Sequence, residues 1–398
     1  MRQLSDVVFV SAVRTPMGRF GGTLKDVKVY DIASFAIREA LRRAQVSGDD
    51  VDDALIASCR QAGNYVNPGR TAALKGGCGT HVPAVTINKA CPAGMKAVAI
   101  ATQEIQVGQA DIALCGGMES MSTIPHLIRG YRWQGFRLGP VTLEDGWSDA
   151  DDPVAGVSMG MTAENLVEKY GLAREDLDAF AAASHQKAAA AQKNGWFDEE
   201  ITPVVIPAKG KSPEVVFDKD ESIRYEVDTA SMAKLPPVFK KDGGVVTAGN
   251  SCGMTDGAAF LVAMSREEAA KRGLTPLFSV VDYTQTAVDG RFMGEGPGVA
   301  IPKVLSRAGM SLADMDLIEV NEAFAAQILA NQVVLGWDPT KLNVHGGAIA
   351  LGHPTGCSGA RLLVTLYNAL KRLDGEFGIA SICGGGGSTM AMIIKRES

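Results

Sequence analysis

Two residues of this chain stand in closely matching settings, each followed by a proline and a run of small residues: Cys91 in NKACPAGMKA and His353 in LGHPTGCSGA. A thiol that attacks and an imidazole that takes its proton are the pair that nucleophilic acyl chemistry requires. Pro92 suits the first position of a helix and biases Cys91 toward the extended conformation of a cap. Cys91 is therefore expected at a helix N-terminus, where unpaired N–H groups favour the thiolate and lower a thiol pKa from about 8.5. Free cysteine is also among the most buried residue types, so a structural Cys91 stays open on these grounds alone. His353, in the matching position, could be the base, or a structural histidine in a loop. Cys383 ends an apolar run and enters GGGG, whose unobstructed N–H groups could hold an oxyanion. Tight strand-to-turn packing is the other reading, as for Cys115 in ALCGGMES.

The elements that must position these residues repeat along the chain. RRAQVSGDDVDDALIAS at 42–58 matches SRAGMSLADMDLIEVNE at 306–322, and ALCGGMESM matches SICGGGGSTM. In each half a residue followed by Pro opens a helix, and a later strand ends in Cys-Gly-Gly. Strand-type runs such as VVFVSAV, AVTI, DLIEV and MAMIIK alternate with helix-period segments such as DIASFAIREALRRA, the pattern of an α/β chain with helix-covered sheets. Residues 122–246 differ in character and read as an inserted lid or substrate domain. The segment at 245–265 is again strand-like and returns to the first half.

Composition narrows the function classes. A chain of 398 residues can bury a core of two or three units. Its net charge of −6, with no dense basic run, argues against nucleic acid. No apolar stretch reaches the roughly 18 to 20 residues of a membrane span, so a cytoplasmic protein is expected. Seven scattered cysteines without a CxxC pair suggest reduced thiols and neither a disulfide framework nor a zinc cage; no metal is implied. Glycine is over-represented at 45 residues, much of it beside Cys or His where the backbone must turn or approach a ligand.

NKACPAG, NEAFAAQ, GGAIALGHPTGCSGAR and CGGGGS, in this order and joined by GGMESMS and TAGNSCGMTDGAA, resemble the thiolase family over the whole chain. The resemblance implies an α/β fold of two similar βαβαβαββ halves packed as a five-layered α-β-α-β-α sandwich. Residues 1–121 with 247–272 would form the first half, 122–246 a loop domain binding coenzyme A, and 273–398 the second half. It implies reversible condensation of acetyl-CoA with an acyl-CoA, or thiolytic cleavage of a 3-ketoacyl-CoA, by a ping-pong route. Cys91 would be the nucleophile, His353 its base and Cys383 the second acid/base. Asn321 of NEAFA, with His353, would serve the enolate oxygen, and the N–H groups of Cys91 and Gly385 the tetrahedral oxyanion. Coenzyme A is implied as substrate, with no permanently bound cofactor. Arg224 would lie near its adenine and phosphate end, and Met159 and Met293 would line the acyl pocket. A homodimer or homotetramer is implied.

The chain departs from the family pattern at two pocket positions. Ser158 stands in VSMGMTAEN where acetoacetyl-CoA-specific members commonly carry His, and Cys252 in TAGNSCG where relatives place a Ser that bonds the pantetheine arm. A thiol is a weak donor, so that contact weakens. Ser158 points to acyl groups longer than that of acetoacetyl-CoA. A decarboxylating ketoacyl synthase pairs its Cys with two His, and here Cys383 occupies the second His position. A non-catalytic acyl-CoA-binding paralogue has no need of a second thiol.

Overall fold

The computed structural model describes residues 4–147, 151–210 and 212–398. Nine main strands, with the two-residue strand Gly18–Arg19 added at one place, form one mixed sheet. The first half contributes β1 (Val7–Arg14), α1 (Val29–Arg43), β2 (Asp53–Ala57), α2 (Pro68–Lys75), β3 (Ala84–Ile87), α3 (Ala93–Gln106), β4 (Ile112–Ser120) and, after an insertion, β5 (Thr255–Ser265). The second half contributes β6 (Phe278–Ala287), α6 (Gly296–Ala308), β7 (Leu317–Val320), α7 (Ala325–Leu335), α8 (Thr355–Leu373), β8 (Phe377–Cys383) and β9 (Ser388–Arg396).

The strand order is β7-β8-β9-β6-β1-β5-β4-β2-β3, which is the same order twice, joined back to back. The join is a short antiparallel pairing of Val8 with Ser279 and Phe9 with Phe278, whose rings stack at 4.7 Å. In the second half the counterpart of β3 shrinks to a single bridge between Ile318 and Leu342. Both halves carry an irregularity at the same place: the β1/β5 register shifts between Phe9 and Ser11, and the β6/β9 register between Val280 and Asp282. The internal repeat therefore extends to backbone detail.

Burial explains why the strands read as continuous apolar runs. Every residue of β1 and β4 is buried, as expected for a sheet covered on both faces. Helix α1 turns Ile32, Ala33, Ala36, Ile37 and Ala40 onto the outer face of the first half, with Asp31 in its first turn and Arg42 and Arg43 in its last, complementing the helix dipole. Helix α6 and Ile328 of α7 cover the outer face of the second half. Between the halves lie α3 and α8, whose Met95, Val98, Leu362, Leu363 and Leu366 share one core with strand residues from both sides. The sequence is thus layered helix, sheet, helix, sheet, helix.

The two central helices cross at their starts. A Cβ on Gly94 would stand 2.7 Å from Ala360 N, and one on Gly359 2.3 Å from Met95 N. Only residues without a side chain allow this approach.

Residues between β4 and β5 carry α4 (Met159–Tyr170), α5 (Arg174–Lys193) and a hairpin of Val204–Ile206 with Val215–Phe217. The insertion is tied to β1 by a fully buried guanidinium: Arg14 bonds Glu200 at 2.6 Å and Asp220 at 2.7 Å. One cation meets two carboxylates, and burial, with Asp220 nearby, raises the Glu200 carboxyl against the formal excess of negative charge. Among the described residues no helix is long and apolar enough to cross a membrane.

Candidate active site

Cys91 sits at the start of α3, one residue farther from it than its spacing suggests: Pro92 is the cap and Ala93 the first helical residue. The residue before Cys91 is strained. Ala90 has φ +50°, a conformation that costs an ordinary residue roughly 1 kcal/mol, and it is held there at both ends. Its N–H donates to Asn88 Oδ1 at 3.0 Å, and its carbonyl accepts from Cys59 Sγ at 3.1 Å.

The Gly-rich loop after β8 packs directly on this turn. A Cβ on Gly384 would meet Pro92 Cδ at 2.5 Å and Cys91 N at 3.2 Å. The N–H groups of Gly385 and of Cys91 itself reach the Cys91 sulfur and favour its thiolate. Burial outweighs them and pushes the thiol up to about 11, with nearby Glu119 adding to the rise and Arg60 opposing it. This reverses the expectation of a lowered pKa: the cost of stripping water from the anion exceeds what the helix start returns, so Cys91 rests as a thiol.

His353 lies at the start of α8, whose first turn packs on that of α3. Its ring is fixed by Ser358. The Ser358 hydroxyl donates to Pro354 O at 3.0 Å, so its oxygen accepts from His353 Nδ1–H at 2.6 Å. That leaves the Nε2 lone pair available to a proton, and Nε2 is buried with no hydrogen-bond partner among the described residues. Burial, reinforced by Arg361, lowers the imidazole to about 3 and keeps it neutral.

A ring of backbone contacts brings the remaining groups together. Asn321 N–H donates to Ser381 O, two residues before Cys383. Cys252 N–H donates to Ala323 O, and His353 N–H to Gly253 O. The amide of Asn321 is fully buried, and neither its Oδ1 nor its Nδ2 has a partner among the described residues. Cys383 is buried, and burial followed by the charge of nearby Cys91 drives its thiol well above the ordinary range. Cys252 is pushed to about 12 by burial and then by Cys91, which places a third thiol in the same electrostatic neighbourhood.

Glu322, next to Asn321, is a fastener. Its carboxylate accepts from Ser184 of α5 at 2.7 Å, from Asn343 at 2.8 Å and from Ile349 N at 3.1 Å. It joins the insertion to the second half directly behind Asn321.

A cavity of about 450 Å³ opens at Cys91, walled by Met159, Trp147, Pro153, Val154 and Gly385 among others. Met159 lies 3.7 Å from a Cβ built on Gly385. Met293 is buried in the cluster that holds Cys383 and Phe324, against which Met159 packs. Ser158 is outside the cavity wall; its Oγ accepts from Met161 N at 3.3 Å and caps α4. Arg224 is exposed and outside that wall, its N–H bonded to His185 Nδ1.

Three contributors had no sequence argument. Glu119 of β4 accepts from Cys59 N, Arg60 N, Thr355 Oγ and Gly356 N, so one carboxylate fixes the cavity wall and the start of α8. It lies inside GGMESMS, a motif that marks its place without its task. Ser358 lies five residues after His353, inside HPTGCSG. Arg60 lies in a loop whose direction no periodicity reports.

Comparisons with known proteins bear on the family and the fold. Residues 7–267 match the family model of the thiolase N-terminal domain and residues 274–396 that of the thiolase C-terminal domain. Over 396 residues, 99% of this chain and the whole of the relative, it is 46% identical to an acetyl-CoA acetyltransferase of Cupriavidus necator. It is 44% identical to the beta-ketothiolase BktB of the same organism over 98% of this chain and 99% of the relative. The crystal structure of a Bacillus anthracis acetyl-CoA acetyltransferase superposes with TM-score 0.96 at 43% identity, and that of human mitochondrial 3-ketoacyl-CoA thiolase with 0.95 at 40%, each covering both chains completely. Two domain matches, full-length relatives and one shared fold lead to one conclusion: the chain belongs to the thiolase family, the CoA-dependent acyltransferases.

Proposed function

We propose that Cys91, His353, Cys383 and Asn321 carry a two-step acyl transfer between thioesters. The observation that supports it most is that, among the described residues, His353 Nε2 and both amide atoms of Asn321 are buried without partners, as groups kept for a ligand would be. In the first step the Cys91 thiol passes its proton to His353 Nε2 and attacks the thioester carbonyl, while the N–H groups of Cys91 and Gly385 receive the oxyanion. The leaving CoA sulfur takes the proton from His353, leaving acyl-Cys91 and free CoA. In the second step Cys383 passes its proton to His353 and removes a Cα proton from acetyl-CoA. The protonated Nε2 and the Asn321 amide stabilise the enolate oxygen. The carbanion attacks acyl-Cys91, and the released Cys91 sulfur recovers the proton from His353. Cleavage of a 3-ketoacyl-CoA is the same path reversed.

The insertion at 122–246 is the proposed loop domain over coenzyme A, between the halves formed by 1–121 with 247–272 and by 273–398. Cys252, Met159 and Met293 face the acyl and pantetheine parts in this reading, Arg224 the nucleotide end, and Ser158 acts only through the start of α4 that it caps. A cytoplasmic dimer or tetramer accords with it. With Ser158 in place of the family His, 3-ketoacyl-CoA substrates longer than acetoacetyl-CoA are accepted. The test is thiolysis of a series of 3-ketoacyl-CoA thioesters, with mass analysis of the acylated peptide. Acylation of Cys91 and turnover beyond four carbons are expected. Absence of thiolysis, or a label on another cysteine, sinks the mechanism, and a strong preference for the four-carbon substrate sinks the specificity.

A further inference from the structure

Helix α8 begins without a cap of its own. Its cap position is Pro354, which has no side-chain oxygen to offer the unpaired N–H groups of the first turn. The acceptor comes from the other half of the molecule. Glu119, fully buried near the end of β4, accepts with Oε2 from Gly356 N at 3.0 Å and from Thr355 Oγ at 2.7 Å. A carboxylate at that place also suits the positive end of the helix. His353 lies two residues before Thr355, and its own N–H is held by Gly253 O at 3.0 Å, so its short segment is fastened on both sides.

The same carboxylate reaches Cys91 through one intermediary. Oε2 accepts from Cys59 N at 2.9 Å and Oε1 from Arg60 N at 3.2 Å. Cys59, fixed in this way, donates from Sγ to Ala90 O at 3.1 Å. That carbonyl also receives Ala93 N–H at 2.9 Å, and it belongs to the strained residue immediately before Cys91. The surroundings leave no slack. A Cβ on Gly356 would stand 2.6 Å from Met118 O and 3.0 Å from Ser58 Cα, and one on Gly117 2.0 Å from Gly356 O. The electrostatic effect of Glu119 on Cys91 is adverse, since it adds to the rise of the thiol. The hydrogen bonds are what remains to account for a carboxylate at this place.

Resting on the roles proposed above for Cys91 and His353, we propose that Glu119 is the positioning residue that sets nucleophile and base in register across the two halves. By capping α8 it places His353, and through Cys59 and Ala90 it places Cys91.

The experiment compares the full-length wild type with Glu119→Gln, Glu119→Asp and Thr355→Val. It measures acetoacetyl-CoA thiolysis and the pH dependence of Cys91 alkylation by iodoacetamide, with mass analysis of the labelled peptide. Glu119→Gln keeps the shape, removes the charge and turns an NH2 donor against part of the N–H set. Its kcat should fall about ten- to a hundredfold with little change in KM. Alkylation should move the other way, its rate rising from a lower pH, because a neighbouring negative charge is gone. Glu119→Asp retains the charge and shortens the reach, so kcat should fall while the alkylation profile stays with wild type. Thr355→Val removes one bond to α8 and leaves the carboxylate in place; kcat should fall about three- to tenfold with the profile unmoved. The other titratable groups around Cys91 are the same in all variants: Arg60, the thiols of Cys59, Cys252 and Cys383, Asp151 and Asp152 in the cavity wall, and the proposed base His353.

A variant that only loses packing does not lose turnover while its nucleophile ionises more readily. Wild-type kcat in Glu119→Gln, or an alkylation profile that does not move to lower pH, overturns the proposal. If that variant does not fold, Thr355→Val decides, and wild-type kcat there overturns it. Turnover by the wild type with the label on Cys91 keeps the acyl-transfer reading whichever way the variants fall; no turnover by the wild type, or a label elsewhere, removes both.

Discussion

His353 Nδ1 lies 2.6 Å from Ser358 Oγ, and that single contact decides which ring nitrogen can act as a base. Because Ser358 gives its own proton to Pro354 O, Nδ1 must donate and Nε2 must accept. Ser358→Ala removes the partner that fixes ring and tautomer. It should lower kcat roughly ten- to a hundredfold with little change in KM, since the loss falls on proton transfer. Steady-state kinetics on acetoacetyl-CoA decide this, and an unchanged kcat shows the ring to be held by packing alone.

Cys91 rests as a thiol pushed to about 11 and His353 as an imidazole lowered to about 3. Inactivation of the free enzyme by iodoacetamide should therefore keep accelerating above pH 9. A plateau already reached below pH 8 contradicts that picture. Because His353 binds its proton only near pH 3, its titration should put no acid limb on kcat/KM between pH 5 and 8. A limb near 6.5 that vanishes in His353→Ala overturns it.

Behind the site, Arg361 Nη1 stands 3.6 Å from Glu319 Oε2, too far for a hydrogen bond, and neither carboxyl oxygen has a hydrogen-bond partner among the described residues. Burial outweighs the attraction of Arg361 and raises Glu319 to about 8, so it carries its proton at neutral pH. The folded state then holds a proton that the unfolded chain has released. The stability this contributes is fully present below the unfolded value near 4.5 and is lost as pH rises to about 8. Relative to Glu319→Gln, wild-type stability should fall by about 1.4 kcal/mol per pH unit across that window and level off above it. Denaturant unfolding of the two proteins from pH 5 to 9 measures the difference; a constant offset rejects the protonated carboxyl.

Gly359→Ala should destabilise the protein by about 1–3 kcal/mol, because its methyl meets the backbone nitrogen of Met95, which has no rotamer to yield. The gain in helix propensity, about 1 kcal/mol, does not offset this. Since the crossing also sets the start of α3 against that of α8, kcat should fall with the melting temperature. Full activity at a lowered melting temperature separates packing from positioning.

Much of this was legible in the chain. The repeat foretold two halves of one strand order, and proline after Cys91 and His353 foretold paired helix starts. The ionisation of Cys91 was not legible, because a helix start can be read from local residues whereas desolvation depends on elements far apart in sequence. Ser158 illustrates the same limit: as a residue type it suggests a polar pocket wall, but its oxygen serves Met161 N. Glu119 and Arg60 meet through a strand and a loop 59 positions apart, a relation that no spacing rule reports.

The position of β5 has a consequence for synthesis. β5 lies between β1 and β4, pairing Phe260 with both Val13 and Gly116. Both partners leave the ribosome before residues 121–254 are made, at roughly 5–20 residues per second, so their apolar edges wait on the order of ten seconds for the strand that covers them. The nascent first half must therefore be shielded until the insertion has passed, and truncations ending within the insertion should aggregate although every residue preceding β5 is intact.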